Sequence, residues 1–228
     1  MLTLALQTAD AHLWGSVQKW FKSPEVQVLP WGRLYAEADR PIAVDDILHR
    51  AIALVERHSD AKMVIDSTLS LGGTPSDPPE QQPLSSSSGR TLAWDKQNAL
   101  AIAEQALNTP MARTLGLVIT QQVFWQLAHA GRYDLRLVAQ LAPPASDQPP
   151  STAQRISLFE VFNGEPAERR AKKQETKTQF EQALFLYLLG FCAEAECLFA
   201  NCLQLNPQDA VAAHYVACCQ AALTTQDE

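Results

Sequence analysis

Five cysteines and five histidines are the residues of this 228-residue chain best able to hold a metal or to pair a nucleophile with a base. The cysteines are Cys192, Cys197, Cys202, Cys218 and Cys219, all near the end of the sequence. Their spacing is not the paired C-x-x-C of a zinc site, so no metal is expected. An odd number on helical text predicts reduced, structural thiols and a reducing, cytoplasmic compartment. The histidines, His12, His49, His58, His129 and His214, are scattered, and no His/Ser/Asp or Cys/His constellation stands out. Distant residues can still meet in a fold. The run "ERRAKKQETK" (168–177) reads either as a docking patch for an acidic partner or as a solvated helix face, with Glu165–Arg169 and Glu168–Lys172 as i,i+4 pairs. The net charge of -7 argues against a nucleic-acid partner, which calls for a basic face. No apolar run reaches the roughly 18–20 residues of a membrane span. The opening "MLTLALQTADAHLW" lacks the basic stretch and long apolar core of a secretory leader.

The elements that would position these groups alternate through residue 162. Strands are expected at Leu2–Ala9, at Val26–Ala38 as two short strands about a Trp31-Gly32 turn, and at Lys62–Leu71. Further strands are expected in "LGLVITQ", "RYDLRLVAQLA" and "RISLFEVF". Helices are expected from Asp10, in "VDDILHRAIALVERH" with Ile47, Ala51, Leu54 and Val55 on one face, in "WDKQNALAIAEQAL" and in "QVFWQLAHA". Two Pro/Ser-rich stretches, 73–90 and 143–154, read as exposed loops. The alternation predicts an α+β or α/β sandwich with helices on a sheet.

After Phe162 strand signals stop. A long helix runs to Gly190, "AEAECLFANCLQL" forms a second that ends at Asn206-Pro207, and "DAVAAHYVACCQAAL" forms a third. Ala183, Gly190, Ala195, Phe199 and Pro207 fall where a single tetratricopeptide repeat of about 34 residues places its small, aromatic and proline positions. Two units are expected, 1–163 with the sheet and 164–228 as a TPR-like helical bundle.

"LFEVFNGEP" followed by helical text, with "LGLVITQQVFWQLAHAGRYDLRLVAQLA" before it, resembles the C-terminal part of bacterial class III adenylate cyclases of the cyanobacterial type. The resemblance is carried by residues 112–223 and extends less closely to the N-terminus. It implies a ferredoxin-like cyclase homology domain, a βαββαβ-type sheet with helices on one face, and a signalling ancestry. The family's segment entering the catalytic helix is similar to "RTLAWDKQNALAI". The resemblance places Thr91 at the base-contacting position, Asp95 at the aspartate after the glycine, and Asn98 at the ribose-orienting asparagine. Asn98 by itself also reads as a solvated helix residue.

The chain departs from the family where the chemistry is done. The glycine position holds Trp94 and the arginine position holds Ile102. Cyclisation builds negative charge on the transferring phosphoryl group, and isoleucine supplies neither charge nor a hydrogen bond. The hairpin that would carry a metal-binding aspartate has none between Ser23 and Asp39, leaving Val28, Leu29, Pro30 and Trp31 instead. Asp10 is the only candidate ligand near the first strand. The expectation is therefore a catalytically inactive pseudoenzyme without cofactor, binding another protein as an adaptor or regulatory subunit. Trp31, Trp94 and Trp125 are read either as plugs in a former cleft or as an exposed aromatic patch. Tyr187, Phe191 and Tyr215 are the expected partner-binding aromatics of the tail. A homodimer or a heterodimer with an active cyclase is a possible assembly. The competing expectation is a non-catalytic nucleotide sensor resting on Thr91 and Asn98.

Overall fold

A computed structural model describes residues 2–7, 26–29, 33–37, 44–59, 61–67, 105–106, 109, 114–141 and 155–225. The protein is a mixed α+β structure. Strands β1 (Leu2–Gln7), β2 (Val26–Leu29), β3 (Arg33–Glu37), β4 (Lys62–Ser67), β5 (Leu117–Thr120), β6 (Leu135–Leu141) and β7 (Ile156–Val161) form one sheet in the order β2-β3-β1-β4-β5-β7-β6. β2 and β3 form the expected hairpin, and β1 pairs antiparallel with both β3 and β4. β4 and β5 are parallel, and β7 joins β5 and β6 with antiparallel ladders.

Side chains that alternate along the strands divide the core into two layers. Met63 and Ile65 of β4, with Leu117 and Ile119 of β5, meet Ile47, Leu48, Ala51 and Leu54 of helix α1 (Val44–Arg57). That helix folds with its apolar residues on one stripe, Asp45 and Asp46 in its first turn and Arg57 in its last, as the helix dipole favours. Short helix α2 (Gln121–Gln126) adds Val123 to the same layer.

The intervening residues of those strands, Val64 and Val118, face the other way. They join Val138, Leu158, Ala106 and a bundle of α3 (Ala167–Leu188), α4 (Cys192–Leu205) and α5 (Ala210–Thr224) in one continuous core. Helices therefore cover both faces of the sheet, with α1 and α2 on one and the tail on the other. The tail helices bury their own apolar stripes against the sheet's second face. Gln105 and Ala106, at the end of the expected helix 94–107, are helical, and Ala106 is fully buried in this second core. The helix expected from Asp10 and the loops 73–90 and 143–154 lie outside the described residues.

α3 stops because Gly190 adopts φ +88°. Phe191 N–H donates to Leu186 O, and Gly190 N–H donates to Tyr187 O, closing the helix with a Schellman pair. The chain turns back as α4, with Ala183 and Ala195 fully buried and Phe180 and Phe199 edge to face, ring centroids 5.2 Å apart. Tyr215 of α5 stacks on Phe199 at 4.9 Å.

Candidate functional site: a tail locked to the sheet

β6 reads "LRLVAQL" and β7 reads "ISLFEV", so each strand carries one charged residue among apolar ones. Arg136 and Glu160 are register partners on the tail-facing side, and both are buried. Arg136 Nε and Nη2 donate to Glu160 Oε2 at 3.0 and 2.7 Å. Arg136 Nη1 donates to Asp209 Oδ2 at 2.5 Å. The guanidinium also lies 4.1 Å from the centroid of the Phe180 ring. From α3, Lys173 Nζ donates to Glu160 Oε1 at 2.5 Å and to Glu165. Each buried charge of this network has a partner of opposite sign, which offsets the cost of its burial.

Asp209 has two tasks. Its Oδ1 accepts from the N–H groups of Val211 and Ala212, capping α5. Burial alone would push its carboxyl up, but the Arg136 guanidinium and these hydrogen bonds hold it below the ordinary carboxylate range. Arg136 is correspondingly held cationic. Burial opposes its charge, and the two carboxylates outweigh that cost.

The sequence pairing in the basic run is half right. Lys172 donates to Glu168 at 2.9 Å on the surface. Glu165 pairs with buried Lys173 rather than with Arg169. The run is therefore a solvated face only in part, because Lys173 lies under it against the sheet.

A groove of about 510 Å³ runs between the end of α1, residues 114–116 and the start of α3. It is lined by Val55, Glu56, Lys62, Thr114, Glu165 and Arg169 among others. Its lining carries two cations, Lys62 and Arg169, and two carboxylates, Glu56 and Glu165. On β4, buried Asp66 accepts a 2.5 Å bond from Thr120 Oγ1 at the end of β5. This pair is internal to the sheet. Among the described residues, no three His, Cys, Asp or Glu side chains come together as a metal site.

Among the described residues, Tyr133 OH lies 3.3 Å from His49 Nδ1, and a thiol–imidazole pair forms as well. Cys218 Sγ lies 3.5 Å from His214 Nε2, one helical turn away on α5. The i,i+4 spacing on helical text was the available signal for it. Burial pushes the thiols of Cys202 and Cys219 up to about 11, which keeps them protonated and inert. All five cysteines are free, with Cys202 and Cys219 buried and Cys197 exposed.

The expected site residues separate. Thr91, Asp95, Asn98, Trp31 and Trp94, with Ile102 and Asp10, lie outside the described residues. Trp125 is 65% exposed on α2, in the layer opposite the tail. Tyr215 is corrected from a partner contact to a core residue. It is buried among Phe180, Phe199 and Tyr187, and its hydroxyl donates to Val138 O at 2.8 Å. Tyr187 is half-buried against it, with its phenol pushed up by burial and by the neighbouring thiols. Phe191 is exposed, and two residues not singled out from the sequence stand beside it in the chain, Phe185 at 62% and Leu189 at 55%. Phe185 is on α3, Leu189 is that helix's C-cap one turn further on, and Phe191 follows the Gly190 turn.

No family model, no curated protein and no solved structure matches this chain. Among the described residues, no helix is long and apolar enough to cross a membrane.

Proposed function

We propose that the protein is a non-catalytic binding module whose helical tail presents an apolar contact for another protein. The observation that carries this is the exposure of three large apolar side chains, Phe185, Leu189 and Phe191, around the turn between α3 and α4. Large apolar side chains in one place on a surface mark contact sites more often than scattered single ones do. They sit on a scaffold held rigid by the Schellman turn and by the buried ion network, so little order need be gained on binding.

The pseudoenzyme ancestry rests on separate support. The order β2-β3-β1-β4, with antiparallel neighbours throughout, is the one a βαββαβ chain takes when its third strand enters between the first two. α1 lies between β3 and β4 in that scheme. With Ile102 and an aspartate-free hairpin in the sequence, such a domain would lack the charge that cyclisation requires.

The test is an affinity capture with the full chain as bait, beside a Phe185→Ser/Leu189→Ser/Phe191→Ser variant. A specific protein retained by the first and released by the second, at unchanged far-UV dichroism, is the expected result. Identical capture by both baits, with calorimetric binding of Mg²⁺-ATP, would replace the adaptor reading with a nucleotide sensor.

A further inference from the structure

Among the described residues, β6 ends the sheet. An end strand offers unpaired N–H and C=O groups to the next strand that arrives. In β6 two such groups are already taken, and by side chains. Leu137 N–H donates to Glu181 Oε1 at 2.9 Å, and Val138 O accepts from the Tyr215 hydroxyl at 2.8 Å. The ladder to β7 shifts register between Leu137 and Ala139, so Val138 has no partner residue across it. Glu181 comes from α3 and Tyr215 from α5, so two helices of the tail supply the acceptor and the donor that a neighbouring strand would supply. Arg136, between Leu135 and Leu137, is neutralised inward by Glu160 and Asp209. The strand therefore keeps no charge of its own at the edge to repel a copy of itself, which is the usual protection of an exposed edge.

We infer that the tail is an autoinhibitory cap on a self-pairing edge: Glu181 and Tyr215 hold closed a strand-addition surface whose occupant, when it opens, is β6 of a second copy. Pairing of two identical antiparallel edges is isologous and closes as a two-fold dimer. This inference rests on different contacts from the apolar one at Phe185, Leu189 and Phe191, which begins one helical turn past Glu181 on α3.

The full chain carrying Glu181→Ala and Tyr215→Phe tests it. Tyr215→Phe keeps the ring in its aromatic stack and removes only the donor. The expected result is a molar mass by light scattering that doubles over that of the unsubstituted protein as concentration rises. The Leu137 amide should be slowed in hydrogen exchange in the associated state. A double variant with unchanged far-UV dichroism, unchanged mass across the same range and a fast Leu137 amide would overturn the inference. If the double variant loses its dichroism, the single Tyr215→Phe variant is read in the same way. Faster exchange of the β6 amides without any association would then show that the contacts are packing alone.

Discussion

Arg136 and Asp209 are 73 residues apart in sequence and meet at 2.5 Å, with both side chains essentially sealed from water. One belongs to an end strand of the sheet and the other caps the tail's last helix, so this ion pair, with Lys173–Glu160 beside it, ties the tail to the sheet. Removing one member of a buried pair leaves the other charged and unpaired, a loss of about 3–5 kcal/mol. Asp209→Ala also removes the cap of α5, worth about 1 kcal/mol more. Asp209→Asn keeps an oxygen for Val211 and Ala212 and should lose less. Urea unfolding should rank the proteins unsubstituted, Asn, Ala in falling stability. Equal midpoints for all three would show that the pair contributes nothing net.

Acid should loosen the same joint. The Asp209 carboxyl is held below its ordinary value when folded, so the unfolded chain binds its proton first as pH falls. The stability it contributes is fully present above the unfolded value of about 3.9 and is lost as pH drops through the folded value. The unfolding free energy should therefore decline below about pH 4 in the unsubstituted protein. In Asp209→Asn that part of the decline should be absent. Parallel acid limbs for the two proteins would place the titrating groups elsewhere.

Much of this arrangement is legible in the text, and the exceptions share a cause. β4 to β7 and all three tail helices stand out because their periods are local and each element buries a regular stripe, as Met63/Ile65 against Val64 shows. Ala183, Gly190, Ala195 and Phe199 are legible because close helix packing and a left-handed turn restrict the residue types allowed. Arg136 and Glu160 give a weaker sign, a lone charge on the inward face of a strand. Their partner Asp209 is set by how the tail docks, and no local period reports that. Lys173 is hidden within "ERRAKKQETK" for the same reason, since the face of a helix that meets a sheet depends on the sheet. Tyr215 reads as a surface aromatic until Val138 O supplies its hydroxyl with a buried partner. Thr91, Asp95 and Asn98 lie outside the described residues, so the cyclase-like site stays at the level of sequence.

The Gly190 turn offers a clean backbone test. At φ +88° an L side chain is strained whatever space surrounds it. Gly190→Ala should cost about 1–2 kcal/mol. Gly131 is the matched control, because a Cβ built there meets no atom within 4 Å. Gly131→Ala should stay within about 0.5 kcal/mol of the unsubstituted protein. Thermal melts of the two variants decide it, and a reversed order would mean that the turn does not hold α3 and α4 in register.

The tyrosines should report the fold at the alkaline end. Tyr133 donates to Asp45 Oδ1 at 3.1 Å, and burial together with that carboxylate pushes its phenol up to about 12. Burial raises Tyr215 as well, in the aromatic stack of the tail, and Tyr187 beside it. Each folded value lies above the unfolded one near 10, so each contributes stability that is present below about pH 10 and is lost as pH rises through the folded value. Phenolate absorbance should therefore lag in the native protein. At about pH 10.5 it should show clearly less ionisation than the same protein in urea. Tyr133→Phe should remove part of that lag and leave the tail's share intact. Coincident native and unfolded titration curves would mean that none of the three phenols is held as the structure places it.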